Sequence, residues 1–372
     1  MAALALIIAF VLGNLYKFSF FSPEVHVSAL DIVVFSMTIL AWPKAIRHFN
    51  HLAAPILVFF TVGLVSLIFA IPVYGWPAVG VGAMYLVRWI VYSLFFASII
   101  QLVKSKQIVY IMYSISIITA ILGITQYIIF PDIRSLTVAE WDPHYFRVVG
   151  TFLDPGFTGL ILVFTLIFFT LRHHKFLWVL AYIPFALTYS RSSYAAFLAS
   201  MAYIAWKIKG WKFFFGILLL FTLTIYLLPR APDGEGVKLE RTNSIQARID
   251  SWVTAWKIFA EHPILGVGFN TYRYAQGASL KSHAGAGADS SLLFVAATTG
   301  LVGLMAYLWY LKRLFSLEPI TYYLIPLLIH SLFLNSLFYP AVMVWIALLL
   351  SVSGSRPGPW LPAPKSSRQG SN

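Results

Sequence analysis

Between Asn243 and Gly303 an otherwise apolar chain gathers groups able to do chemistry: Arg248, Asp250, Glu261, His262, Arg273, Lys281, His283 and Asp289. Two roles suit them. A carboxylate at Asp289 or an imidazole at His283 can take a proton from a hydroxyl, and partial burial would raise a carboxylate's pKa toward that task. The guanidinium of Arg248 can neutralise phosphate oxygens through its fork of N–H donors, with Arg191 and Arg147 as further anion-binding candidates. Each residue also has a plainer reading. Asp289 and Asp154 stand where a helix N-cap is needed, and Arg248 and Arg191 suit a membrane interface. His283 sits in a Gly/Ala-rich loop where it would be solvated. His330, within an apolar span, reads as a hydrogen-bonded bundle residue. Arg88, deep in a span, requires a partner. No His, Asp or Glu cluster has metal-ligand spacing. His173-His174, between Arg172 and Lys175, reads as a positive anchor, and neither a P-loop nor a Rossmann fingerprint is present.

The elements that must hold these groups are membrane helices. Of 372 residues, 60% are hydrophobic, 17% aromatic and 10% charged, with a mean hydropathy of +0.81. A soluble domain carries about 25% charged residues, so this composition specifies an integral membrane protein. The expectation is an all-α bundle of about twelve transmembrane helices. They fall near 2–20, 27–42, 53–73, 77–103, 107–130, 150–171, 176–190, 192–206, 212–229, 290–311, 320–337 and 339–353. Met1–Phe18 lacks a positive n-region and reads as a retained first helix. Pro184, Pro326 and Pro340 mark kinks. The absence of cysteine excludes disulfide and thiolate chemistry.

Charge orients the bundle. Fourteen of the 26 Lys and Arg, with Glu318 as the sole acid, fall in alternate connections and the C-terminal tail. By the positive-inside rule that face is cytoplasmic, with both termini inside, and the formal net charge of +13 is an orientation signal rather than a mark of nucleic-acid binding. The domain expectation is residues 1–229 as nine helices, 230–289 as an extracytoplasmic loop, 290–353 as three helices and 354–372 as a disordered cytoplasmic tail. Inside the loop, Asn243 or Ser244 can cap a helix that His262-Pro263 ends. Its Ile245, Ile249, Trp252, Trp256 and Phe259 form an apolar stripe beside Arg248, suited to the membrane interface or the bundle. Gly266-Val267-Gly268 and residues 283–288 offer backbone freedom for close approach to a ligand.

Several stretches resemble the O-antigen ligase and polymerase family. These are Arg248-Ile-Asp-Ser-Trp252, His262-Pro-Ile-Leu-Gly-Val-Gly268-Phe-Asn-Thr-Tyr272 and Ser290 through Thr299-Gly300-Leu-Val-Gly303. Arg147-Val-Val-Gly-Thr-Phe-Leu-Asp-Pro155, Leu187-Thr-Tyr-Ser-Arg191, and His330 through Asn335 with Trp345 add to them. The resemblance implies a glycosyltransferase of the bacterial inner membrane that works in cell-envelope polysaccharide synthesis without metal or cofactor. Its donor would be a glycan on undecaprenyl diphosphate, and its acceptor a glycan or lipid-glycan hydroxyl, among membrane lipids and with no nucleic acid. Ligase and polymerase activities both fit, and a lipid-linked glycan transporter or a non-catalytic scaffold stands as the alternative. The family sets His-Asn or His-Ser before the span ending in Thr-Gly-x-x-Gly, and that histidine is its proposed base. Here the pair is Asp289-Ser290. Either Asp289 replaces the histidine, His283 reaches back, or the activity is lost.

Overall fold

The computed structural model describes residues 1–20, 22–45, 52–139, 142–229, 235–277, 287–317 and 319–353. The expected tail at 354–372 lies outside them. In chain order the helices are α1 (Ala2–Leu12), α2 (Ala29–Ala45), α3 (Ala53–Leu102), α4 (Ser105–Ile129), α5 (Pro155–Leu171), α6 (Lys175–Ala186) and α7 (Arg191–Ile204). Then follow α8 (Trp211–Leu227), α9 (Asn243–Glu261), the short α10 (Tyr272–Ala275), α11 (Ser291–Phe315), α12 (Thr321–Ser331) and α13 (Pro340–Ser353). Each expected span carries a helix, and α3 supplies two of them. It reverses at Gly75, whose φ of 76° a side chain would resist. Gly63 then packs on Leu86, and Gly82 on Leu67, across the reversal.

Twelve individual crossings are not established by helix length. Among the described residues, α3, α4 and α11 are long and apolar enough to span a bilayer. The apolar α1, α2, α5, α6, α8 and α13 have 10–17 residues, whereas about 20 are needed for an untilted crossing. The predicted first span also ends early. α1 stops at Gly13, where the chain turns against Thr151, and an antiparallel hairpin follows in which β1 (Lys17–Phe20) pairs with β2 (Ser22–Ser28). Lys17 stands opposite Ser28, and Ser19 opposite His26.

α5 is the buried centre of the bundle, with nearly all its side chains enclosed. Phe164 meets Tyr323 and Trp345, joining it to α12 and α13. The first and last helices close together at one end. The Asn14 amide donates to the Phe152 carbonyl at 2.7 Å and to the Tyr339 hydroxyl at 3.3 Å, and Tyr339 stacks on Phe157 with centroids 3.9 Å apart.

α11 is broken at Gly300, with φ 65° and ψ −166°. The break leaves backbone groups without helical partners, which is costly in apolar surroundings. The segment after α9 satisfies them. Leu301 and Val302 donate to the carbonyls of Pro263 and Ile264 at 2.8 and 3.3 Å, and Val267 and Gly268 donate to those of Ala297 and Thr298 at 3.1 and 3.0 Å. So close an approach demands glycine on both sides, since a Cβ on Gly300 would strike Ile264, and one on Gly266 would strike Thr298. The two glycine motifs of the sequence are therefore one structural joint. Gly300→Ala is expected to lower stability by at least about 1–3 kcal/mol through overpacking at a left-handed φ. Gly80→Ala, with open space at the Cβ position, should leave the melting temperature in detergent unchanged or slightly raised.

Candidate functional site

One end of the bundle holds a cavity of about 450 Å3, walled by the hairpin, the second half of α3, the start of α5, residues 269–274, 287–289 and 334–343. Asp289, Asp154, Arg273, Lys17, Arg88 and Asn335 are among its lining residues. Of the helices that begin here, α5 is C-capped by Arg172 and α11 carries Lys312 and Arg313 in its last turn.

Asp289 stands immediately before α11, where it was one candidate for the helix cap. The structure gives that role to Ser290, whose hydroxyl accepts from the Leu293 N–H. The Asp289 carboxylate is thereby left for the cavity. Its own N–H donates to Ser251 Oγ on α9 at 3.0 Å, and one helical turn earlier α9 carries Arg248. Burial raises the Asp289 pKa above the ordinary carboxylate range, while the Arg248 charge opposes the rise and Asp142 and Asp154 add to it. Arg248 is pulled down by burial, with Asp289 opposing, and its guanidinium lies 5.7 Å from the Phe333 ring centroid. Asp289 thus lines the cavity under the charge of Arg248, which lies behind the wall on α9 and is not itself a lining residue. His283 lies outside the described residues.

α9 does not begin as the sequence suggested. Thr242 precedes the first turn with no side-chain cap, because Ser244 is engaged elsewhere: its hydroxyl accepts from Arg191 at 2.6 Å. Ala255 and Ile258 face inward and Trp252 meets Phe333, while Ile245, Ile249, Val253 and Trp256 stay exposed. Only part of the expected stripe meets the bundle.

The other two arginines are committed to the backbone. Arg191 also donates to the carbonyls of Leu239 and Arg241 at 3.1 and 2.9 Å, stapling the approach to α9 onto the start of α7. Arg147, 7% exposed, donates to Thr188 O at 2.9 Å and Tyr189 O at 3.3 Å, and burial, followed by the neighbouring Arg241, lowers its pKa to about 9. Neither lines the cavity. Asp154 caps α5, accepting from Phe157 N at 2.7 Å. His330 is fully buried in a serine network, Nε2 toward Ser192 and Ser193 at 3.3 and 3.2 Å and Nδ1 toward Ser336 at 2.6 Å. Arg88 finds its partner in Asp31 at 2.7 Å. Among the described residues no group of three or more His, Asp or Glu is placed to hold a metal ion.

Residues 176–308 match the family model described as O-Antigen ligase. Over that segment the chain is similar to the O-antigen ligase family. The matched segment runs from α6 into α11 and includes Arg191, Arg248 and Asp289 as well as both halves of the glycine joint, whereas the hairpin and Arg147 lie before it. No curated protein matches the chain. The apolar helices fit the membrane-bound character of the O-antigen ligases.

Of the polar cavity residues, Arg273 was named in the sequence only among the polar groups of the loop and Asn335 only within the resemblance, while Lys17 was not singled out. Arg273 follows the glycine joint in Phe269-Asn270-Thr271-Tyr272 and is carried into the wall by α10. Lys17 arrives on β1, and Asn335 on the turn after α12. The period-two alternation around Lys17 was the available signal for a strand. Arg191→Ala is expected to increase amide hydrogen exchange across residues 239–244 by roughly tenfold, the equivalent of about 1.4 kcal/mol of lost hydrogen bonding. Arg191→Lys, which keeps the charge but lacks the fork, should recover only part of the protection.

Proposed function

We propose that this protein is a membrane glycosyltransferase of the O-antigen ligase or polymerase type, moving a glycan from undecaprenyl diphosphate to an acceptor hydroxyl at the outer face of a bacterial inner membrane. The observation that carries the reading is the Asp289 carboxylate, left free of the α11 cap and lining the cavity within reach of the Arg248 charge, inside the segment that matches the family model. Asp289 takes the proton from the acceptor hydroxyl as its oxygen attacks the anomeric carbon. The bond from that carbon to the diphosphate oxygen breaks, the diphosphate leaves with the electron pair, and Arg248 balances the developing negative charge. Asp289 then releases its proton to water. Arg273, on the cavity wall, supplies a second positive charge. Arg191 and Arg147 act by holding α9 and the α6–α7 turn in position.

The basic connections, placed in the cytoplasm, set the cavity on the outer side, where residues 230–289 form the extracytoplasmic loop between bundles 1–229 and 290–353. Tilt allows the shorter apolar helices to contribute further crossings toward the expected twelve.

The test is release of undecaprenyl diphosphate from a glycan-loaded donor by the purified protein in lipid. Asp289→Asn is expected to lower turnover by about 10²–10⁴-fold, the usual worth of a general base, and Arg248→Ala by about 10²–10³-fold, both with membrane insertion intact. Undiminished turnover in Arg248→Ala would sink the mechanism. A raised Asp289 pKa means that kcat/KM falls as pH drops while still above the ordinary carboxylate range. Asp154→Asn keeps the α5 cap and removes a charge that raises the Asp289 pKa. Its acid limb should therefore move to lower pH, and a shift in the opposite direction would remove Asp289 as the titrating group.

A further inference from the structure

The cavity beside Asp289 has an apolar neighbour. Between β2, α2 and α3 lies a groove of about 440 Å3, lined by Val25, Val27, Ile32, Phe35, Ala83 and Val87 among others. Asp31, Tyr85 and Arg88 line both spaces, so the groove and the cavity meet across one wall. That wall is charged. Arg88 pairs with Asp31, donates to the His26 carbonyl and lies 5.0 Å from the Tyr85 ring centroid. Asp31 in turn is fixed by the Ser28 N–H and hydroxyl, each at 2.8 Å, and by the Tyr92 hydroxyl at 2.9 Å. Lys17 adds a second cation on the cavity side. Its burial, and then the nearby Arg88, depress its pKa to about 8 against the pull of Asp31, so an anion arriving beside Lys17 would favour its charged form; Glu24, Asp142, Asp154 and Asp289 stand elsewhere on the cavity wall. At the rim of the groove Ile32 and Val87 are exposed, which suits contact with hydrocarbon.

We propose that this groove seats the polyprenyl chain of an anionic lipid whose diphosphate head enters the cavity past Lys17 and Arg88. The identity of the lipid rests on the glycosyl-transfer reading above; the position of its chain and head rests on the two adjoining spaces and the charged wall between them. A single groove accommodates one chain, which favours a polyprenyl carrier over a two-chain phospholipid. The hairpin then serves both spaces, since β2 walls the groove while β1 carries Lys17 to the cavity.

The experiment uses the full protein in phosphatidylcholine nanodiscs and a polyprenyl diphosphate bearing a diazirine within its chain. Cross-links are expected on β2, α2 and α3 at groove residues such as Ile32, Phe35 and Val87. Ala83→Trp, which fills the groove, should cut capture at least tenfold, and the smaller Ala83→Phe should cut it less. Leu223→Trp, on the exposed face of α8, should capture as the unchanged protein does. Lys17→Gln should weaken capture of the diphosphate but not of the uncharged polyprenol. Cross-links scattered over the other lipid-facing helices, capture undiminished in a folded Ala83→Trp protein, or equal competition by phosphatidylglycerol would each overturn the assignment. Mapping on the unchanged protein decides the matter even if the tryptophan variant fails to fold. Donor turnover measured in parallel separates the two readings. Groove cross-links without turnover would end the transfer reading and leave the lipid site standing, whereas turnover with cross-links elsewhere would do the reverse.

Discussion

Four backbone hydrogen bonds, donated by Leu301, Val302, Val267 and Gly268, close the break in α11 with the segment that follows α9. In an apolar interior an unpaired peptide group costs several kcal/mol, so a helix interrupted at Gly300 persists only with that segment in place. Once seated, the segment carries Phe269 to the Ser66 hydroxyl, which accepts its N–H at 3.1 Å, and directs Asn270 and Arg273 to the cavity wall. It also anchors the C-terminal end of α9, leaving Arg248 and Ser251 beside the start of α11. The position of the charged pair is thus a consequence of how a broken helix satisfies its peptide groups.

At its other end α9 is held by side chains. Arg191 fastens three acceptors between Leu239 and Ser244, while Arg147 and Arg241 converge on the Tyr189 carbonyl. Guanidinium groups suit this work because one side chain serves several carbonyls at fixed angles. The arrangement separates the arginines by their contacts: Arg191, Arg147 and Arg241 are tied to carbonyls around the loop, whereas Arg248 is partly buried beside the Phe333 ring.

The helices were legible because long apolar runs in a poorly charged chain permit few alternatives, and the Gly75 reversal fell between two spans already separated by hydropathy. The hairpin was hidden by its neighbours. Phe18 and Phe20 extended the apolar run of α1, although Lys17 and Ser19 alternate with them. At the site, Arg248 and Asp289 were readable as residue types with suitable chemistry. That Ser290, not Asp289, caps α11 depends on local backbone geometry that two adjacent capping residues leave undecided. The commitment of Arg191 and Arg147 to carbonyls 41 to 50 residues away in sequence is a non-local fact that no spacing reveals. Lys17, Arg273 and Asn335 likewise meet only because the fold brings three distant segments to one cavity.

The closure of the first helix against the last through Asn14, Phe152 and Tyr339 bears on how the molecule comes into being. A chain made from its N-terminus lays down the hairpin, α3 and the α5 cap early, yet the cavity still lacks a wall until Tyr339, Pro340 and Met343 arrive with α13. Until then Asn14 has no hydroxyl to meet, and Phe157 no ring to stack upon. The cavity is therefore completed only once α13 has been made. A partly inserted chain displays Lys17 and Arg88 without the enclosure that gives them a common purpose.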